Sequence, residues 1–410
     1  MTTPSPSQRA AQRVLRVALL SRAVISALSA VTTLLVEPYD TSSRLLAPRV
    51  APLAALANWD GVYFAHIAIN GYDYEQVHAF FPLYALLVRY ASRLLPFDEG
   101  TAIPLAGWII SNACFVLASL YLYRLGCLVL QSEPIARRAA YLFCFAPSSI
   151  FMTALYISSV PHRRHAPMEL CFPVSGYCHF KATLNSFTDV HLAVFIAWYR
   201  LRESPSPISS PLRFLSFWFS TAVLGIIAVG PQLVYFLQGI RSYCPKLVHT
   251  HYPSASVETA ITHDRPWCTK VIPNATAMYM FIQREYWNVG LFRYYEMKQI
   301  PNFLLATPVL LLSGYSLMRF FTQRTTLHAS ATPYFVHWGF LFINALLVVH
   351  IQVTTRLLAA CPPLFWAPAA MFFSTKASTK ASLQGRVVVG YFLVFYVLGA
   401  GLFSSFYPWT

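Results

Sequence analysis

Three segments of the 410-residue chain collect the residue types that proton transfer and anion binding require. The first runs Asn58-Trp59-Asp60-Gly61-Val62-Tyr63-Phe64-Ala65-His66. It continues through Gly71-Tyr72-Asp73-Tyr74-Glu75 to His78-Ala79-Phe80-Phe81-Pro82. A carboxylate such as Asp60, beside Trp59 in a cleft holding little water, can take the proton of an attacking hydroxyl. The competing reading is structural: Asp60 caps a helix beginning at Gly61, and on pattern alone that is the commoner use of such a residue. The second segment, Gln283 to Asn302, mixes aromatic and charged residues as an interfacial helix does. Its Arg293 and Lys298 suit the oxygens of a lipid phosphate, with Gln283, Trp287 and Asn288 as neighbouring binding candidates. A membrane-lying helix with no ligand fits the same pattern equally well. The third is His350-Ile351-Gln352-Val353-Thr354-Thr355-Arg356 at the boundary between two apolar segments. His350, Gln352 and Arg356 there could meet a lipid headgroup; alternatively Arg356 simply reaches for the interface.

What must position these segments is a membrane scaffold. Hydrophobic residues make up 56% of the chain and charged residues 11%, against roughly 25% charged in a soluble domain. Mean hydropathy is +0.50. Disorder requires the opposite composition, and 16 Gly and 8 Cys fit neither collagen nor a disulfide scaffold. The net charge of +15 is scattered between apolar segments rather than gathered on a basic helix. It therefore reads as span orientation and anionic-lipid contact, with no nucleic-acid partner.

Apolar runs predict spans at Val17–Val36, Ile103–Leu130, Ala139–Val160, Leu212–Ile240, Phe303–Phe321, Pro333–His350, Leu357–Phe373 and Val387–Tyr407, with a weaker one at Phe187–Tyr199. Arg22 interrupts the first, which reads as a retained anchor whose Arg22 snorkels to the cytoplasmic interface. A signal peptide cleaved near Ser29–Ala30 is the alternative. Residues 79–96 contain Arg89 and Arg93. If they lie in the interface instead of spanning, the short loops carrying Arg137, Arg138, Arg200, Arg202, Arg213, Arg324, Lys376, Lys380 and Arg386 all fall on the cytoplasmic side, as the positive-inside tendency requires. The expected fold is thus all-α and polytopic, about eight to ten transmembrane helices in one unit over 1–410. Two long loops, 37–102 and 241–302, then share the opposite face. They hold eleven of the fifteen acidic residues, while Asp189 alone lies in a candidate span. A proton-coupled transporter keeps carboxylates at membrane depth, so chemistry on one face is favoured and a lipid or solute transporter is the rival reading.

Cys114, Cys127, Cys144 and Cys361 read as small buried apolar residues. Cys244 and Cys268 share the second long loop and either pair in an oxidising lumen or stay free. His162, His165, Cys171, Cys178 and His179 match no standard zinc spacing, so no metal site is expected. Asn274-Ala275-Thr276 is a glycosylation candidate in the second loop.

Taken together, the three segments resemble the GPI mannosyltransferase II family, PIG-V type. The resemblance rests on Trp-Asp-Gly-Val-Tyr-Phe at 59–64, Gly-Tyr at 71–72, Tyr-Glu at 74–75 and Ala-Phe-Phe-Pro at 79–82. It continues in Tyr-Trp-Asn-Val-Gly at 286–290, Arg-Tyr-Tyr-Glu at 293–296, Lys-Gln-Ile-Pro-Asn-Phe-Leu-Leu-Ala at 298–306 and His-x-Gln-Val-Thr-Thr-Arg at 350–356. It implies a multi-pass endoplasmic-reticulum enzyme of the GT-C class with its active face in the lumen. The family transfers the second, α1,6-linked mannose from dolichol-phosphate-mannose to a GPI precursor with inversion. It uses no cofactor, since the lipid-linked donor is itself a substrate, and the resemblance leaves room for an accessory membrane subunit. It implies Asp60 as general base, Trp59 as its neighbour at the sugar, and His350, Arg356, Arg293 and Lys298 as candidates to meet the leaving phosphate. The pattern is lost over 161–211, where the family's Arg-Ser-Asn-Gly type motif has no counterpart. A relative that has lost its activity is therefore a third reading.

Overall fold

A computed structural model describes residues 5–40, 53, 55–155, 200–201, 204, 210–244, 265–268, 275–323, 325–371 and 379–409. Those residues form helices and turns, with no strand. Nearly all of the atypical 161–211 segment, including Asp189 and the 162–179 histidines and cysteines, lies outside the described residues, as does Asn274.

The first helix, α1 (Pro6–Leu35), starts on a capping box: Ser5 Oγ accepts from the Gln8 N–H while the Ser5 N–H donates to Gln8 Oε1, with Pro6 at the first helical position. Ala10, Val14, Ala18, Arg22, Ile25 and Ser29 recur at three- to four-residue spacing and form its buried stripe. Small polar residues tie this face to its neighbours. Ser29 and Ser404 hydroxyls meet at 2.6 Å, and Trp108 Nε1 donates to Ser26 Oγ at 3.0 Å.

Arg22 does not snorkel. It is 4% exposed at mid-helix. Its guanidinium donates to the Ser149 carbonyl at 3.0 Å, Thr153 Oγ1 at 2.7 Å, the Cys144 carbonyl at 3.4 Å and Ser149 Oγ, and it lies 3.5 Å over the Phe115 ring. Backbone and hydroxyl groups of residues 144–153, turned inward, supply the acceptors. The apolar run 139–160 is not one span: α5 (Glu133–Cys144) is 12 residues long, and the chain turns at Phe145 into a 3-10 turn at Ser149–Met152. The carbonyls freed there would be unsatisfied at membrane depth without the arginine.

Between these elements lie α2 (Asp60–Asn70), α3 (Pro82–Ser92) and α4 (Glu99–Leu130). Helix α3 rises only roughly 16 Å, about half a bilayer core of roughly 30 Å, so residues 79–96 do not span. Helices α4 and α5 approach closely at Gly126, where an added Cβ would sit 2.8 Å from Ala136 Cβ. Downstream come α6 (Pro211–Tyr243), α7 (Ala275–Trp287), α8 (Ile300–Phe321) and α9 (Thr332–Leu347). The chain ends with α10 (Thr354–Ala359), α11 (Pro363–Met371) and α12 (Thr379–Ser404).

Five of the described helices are long and apolar enough to cross a membrane: α1, α4, α6, α8 with its preceding turn, and Leu383–Ser404 within α12. The expected span over Leu357–Phe373 is instead broken at Cys361-Pro362 into α10 and α11. Pro363 through Ala370 are buried on every side, which marks a helix packed in protein rather than facing lipid. Over the expected span Pro333–His350 the structure has α9, whose 16 residues begin at Thr332 and end at Leu347, roughly 24 Å.

The two long "loops" are themselves built structure. A buried cluster joins Phe64, Ile67, Val77, Phe80, Tyr84 and Val88 of the first to Trp267, Met278 and Ile282 of the second. Cys244 and Cys268 form a disulfide, settling the alternative left open by sequence. It closes a loop of 24 residues' separation, worth about 3 kcal/mol in the chain-entropy account. Cys268→Ser is expected to lower the melting temperature of the solubilised chain and to make Cys244 reactive to maleimide without reductant.

His78 sits 4% exposed in this cluster, against Tyr72, Tyr235 and Tyr243. Burial lowers its pKa from 6.5 to about 4. The unfolded chain therefore binds a proton that the folded chain refuses between those values, and stability falls as pH drops through 6.5 toward 4. Melting temperatures at pH 7.5, 6 and 5 check this; His78→Phe is expected to flatten the dependence.

Candidate active site

The Asn58-Trp59-Asp60 corner is fixed by the end of the last helix. Asn58 Nδ2 donates to the carbonyls of Phe403 at 3.0 Å and Ser404 at 3.1 Å, satisfying acceptors that the C-terminus of α12 leaves open. Trp59 occupies the cap position of α2 at φ 57° and ψ −128°, a region a bulky residue adopts only when its surroundings impose it. Gly61 follows because a Cβ there would lie 3.3 Å from the Leu56 carbonyl oxygen. Asp60 is thus the first residue inside α2, not its cap, and the capping reading is corrected. Its Oδ2 accepts from Arg356 Nη1 at 2.6 Å, an ion pair with side chains 20% and 14% exposed. Arg356 in turn lies 4.9 Å over the Phe151 ring.

The second motif is positioned by helix-end chemistry. The last carbonyls of α9 would be orphaned at its C-terminus. Tyr294 Oη donates to Ala345 at 2.6 Å and Tyr295 Oη to Leu346 at 2.7 Å; the Phe292 N–H reaches Leu347 at 2.8 Å and the Gly290 N–H reaches Val348 at 3.2 Å. Four consecutive carbonyls are capped by one six-residue stretch. That lock carries Glu296, Lys298 and Gln299 against the segment that follows α9. His350 stands in that segment with Nδ1 accepting from the Gln352 N–H at 3.3 Å, which leaves its proton on Nε2. Burial lowers the His350 pKa, Glu296 opposes this, and Arg356 and Lys298 add to it, so the ring is neutral near pH 7.

These three segments enclose one cleft of about 720 Å³. Asp60, Trp59, Gln283, Trp287, Asn288, Lys298, His350, Gln352 and Arg356 all line it. Residues from three regions, the first more than 200 positions from the other two, therefore share a single cavity of ligand-binding size. The family model described as mannosyltransferase (PIG-V) matches residues 11–410. The chain belongs to the PIG-V mannosyltransferase family.

Relatives of this mannosyltransferase include GPI mannosyltransferase 2 of Drosophila pseudoobscura pseudoobscura, 28% identical with 87% of each chain covered. GPI alpha-1,6-mannosyltransferase 2 of Mus musculus is 28% identical, covering 99% of both chains. The Homo sapiens protein of the same name is 26% identical, with 99% of this chain and 100% of its own length covered. That last alignment runs over 511 positions against 410 residues here, so at least 101 of them are gaps in this chain. A structural likeness to the Archaeoglobus fulgidus oligosaccharyltransferase covers 96% of this chain and 55% of that one at 12% identity; its TM-score of 0.38 carries no argument.

Arg293 is the one expected site residue of this PIG-V chain that the cleft does not include. Its side chain folds back over Gly290, with Nη1 3.5 Å from the Arg284 carbonyl. Its neighbours Tyr294 and Tyr295 are the residues with a positional task, and nothing in the spacing marked them. The lining also includes Tyr63, Phe80, Tyr286 and Glu296, which lie in the sequence motifs but were given no role there, and Asp40 and Phe406, which lie outside them. Tyr63 stacks on Phe80 at 4.6 Å and meets Trp287 edge-on at 6.2 Å, forming an aromatic wall. Tyr286 Oη donates to Glu75 Oε1 at 2.8 Å, and Arg265 Nε to Glu75 Oε2 at 2.6 Å, so that wall is tied to the turn bearing the disulfide. Lys298 pairs with Glu296 at 2.5 Å while remaining largely exposed. The cleft therefore offers three carboxylates (Asp40, Asp60 and Glu296), two cations (Lys298 and Arg356), an imidazole N–H and aromatic faces: the means to accept a proton and to stabilise a departing anion.

Proposed function

We propose that this chain adds the second mannose, α1,6-linked, to a GPI precursor, taking it from dolichol-phosphate-mannose at the lumenal face of the endoplasmic-reticulum membrane. The observation that carries the reading is the Asp60–Arg356 pair at a cleft walled by the other two motifs. In a single displacement the acceptor 6-hydroxyl attacks C1 of the β-linked donor mannose, forming the new C–O bond as the bond to phosphate oxygen breaks. Asp60 takes the hydroxyl proton, with Arg356 fixing the direction of its carboxylate. Dolichyl phosphate leaves with the electron pair of the broken bond. Lys298 and the Nε2–H of neutral His350 are the groups suited to its charge, and Gln352, Gln283, Trp287 and Asn288 suit the sugars and headgroups. The disulfide supports a lumenal position for 241–302, since such bonds persist in oxidising compartments. An accessory membrane subunit belongs to this reading only through the family resemblance.

A second reading has an observation of its own. The gaps against the human relative and the altered 161–211 segment fit a chain that keeps the cleft but has lost transfer. The test is complementation of cells lacking the second GPI mannose. Restored surface GPI-anchored protein supports transfer. A chain that reaches the membrane but restores nothing supports the inactive relative. The transporter reading needs a polar path through the spans, and the buried arginine of α1 is consumed by its bonds to the 144–153 turn.

A further inference from the structure

The turn following α12 contributes a wall to the cleft that lies outside the three sequence motifs. Ser405, Phe406 and Tyr407 fold back on the helix end through N–H bonds to Gly401, Phe403 and Leu402 at 3.1, 3.1 and 2.8 Å. Trp409 seals the turn against Gly399, where any Cβ would lie 2.8 Å from the indole. The Tyr39 N–H donates to the Ser405 carbonyl at 2.9 Å, fastening the end of α1 to the same turn. Phe406 is held at φ 61° and is not glycine.

This ring faces Trp59 at 5.1 Å with an interplanar angle of 29°, and both residues line the cleft. Two bulky residues with positive φ thus stack on each other beside Asp60. Such a backbone is strained and persists where the surroundings dictate it, commonly at ligand sites. The Trp59 indole N–H is also buried without a hydrogen-bond partner among the described residues. Phe406 is 7% exposed and lies against one face of the indole, so it braces Trp59, and a flat ring held in this way at a cleft wall suits the apolar C–H face of a pyranose, which a flexible aliphatic side chain would fit less rigidly.

We infer that Trp59, braced by Phe406, forms the platform for the acceptor hexose, with Phe406 a positioning residue supplied by the C-terminal turn. The inference rests on the transfer reading above. The acceptor rather than the donor is assigned because the platform adjoins the carboxylate that takes the acceptor proton. Held there, the acceptor ring presents its hydroxyl to Asp60.

The test uses the full chain in microsomes from cells lacking the endogenous activity, with transfer measured against the concentration of each lipid substrate. Phe406→Leu keeps apolar bulk and removes the flat ring. It is expected to raise KM for the mannosylated GPI acceptor about tenfold, with kcat and the KM for dolichol-phosphate-mannose within threefold; Phe406→Tyr is expected to behave as wild type. If Phe406→Leu does not accumulate in the membrane, Phe406→Met is read in its place. An unchanged acceptor KM, a fall in kcat alone, or a rise confined to the donor KM overturns the platform while leaving transfer intact. A wild-type chain that transfers no mannose overturns the transfer reading, and the platform falls with it.

Discussion

Asp60→Asn is expected to lower mannose transfer at least about a thousandfold, within the range a positioned general base supplies, while the protein remains in the membrane at its usual level. The structure makes this substitution informative. Asparagine has nearly the same shape, and its carbonyl oxygen can still accept from Arg356, which now reaches Asp60 at 2.6 Å. What disappears is the negative charge and the ability to take a proton. If Asp60 served only to hold Arg356, Asn would largely suffice and Arg356→Met would be the more damaging change. If Asp60 is the base, Arg356→Lys is expected to cost less, about ten- to a hundredfold. It would leave the carboxylate in place but lose the planar grip that sets its direction. Transfer of labelled mannose in microsomes, normalised to protein by immunoblot, separates the two. Full activity of Asp60→Asn would remove the base role.

The second large effect concerns Arg22. Arg22→Met is expected to leave less than a tenth of the chain folded in the membrane. A snorkelling arginine could be replaced at little cost, because its charge would already be in water. Here the guanidinium is the shared donor for two carbonyls and two hydroxyls from the 144–153 turn, and no carboxylate pairs with it among the described residues. Removing it orphans those acceptors where water cannot replace it. Each buried acceptor left unpaired costs about 1–3 kcal/mol, so losing several together is a large share of the 5–15 kcal/mol typical of a folded domain. Arg22→Lys is expected to fail nearly as badly, since a single ammonium cannot fork to acceptors spread over residues 144 to 153. Resistance to limited proteolysis and the detergent melting temperature are the readouts. Through Phe151, which lies in the same turn and beneath Arg356, the damage also reaches the catalytic pair.

Long apolar runs made α1, α4, α6 and the terminal helix legible in the sequence, because a stretch that must satisfy its own backbone in lipid has few alternatives to a helix. The non-spanning character of 79–96 was legible too, from the charge distribution of the loops on either side. The breaks at Phe145 and at Cys361-Pro362 were not. An apolar residue carries the same hydropathy whether it faces lipid or the protein interior, so a run that turns inward looks like one that continues. The segment 161–211, where the family pattern is lost, lies almost wholly outside the described residues, and with it the weak span expected at Phe187–Tyr199.

The sequence by itself determined that this is a lipid-embedded protein with its acids gathered in two long segments. Through motif resemblance, it also marked nine of the ten residues expected in the cleft that line it. Only the tertiary structure decided what those residues do to one another. Asp60 and Arg356 are 296 positions apart, and no local pattern encodes a pairing across that distance. Arg293 was the obvious phosphate ligand by charge, yet Tyr294 and Tyr295 are the residues that matter to the site's shape, because four carbonyls at the end of α9 needed donors. Phe406 was read as the tail of an apolar run until the helix end turned it toward Trp59. Composition fixes which solvent a chain prefers, but the partner of a charge or an orphaned carbonyl depends on which groups folding brings within about 3 Å.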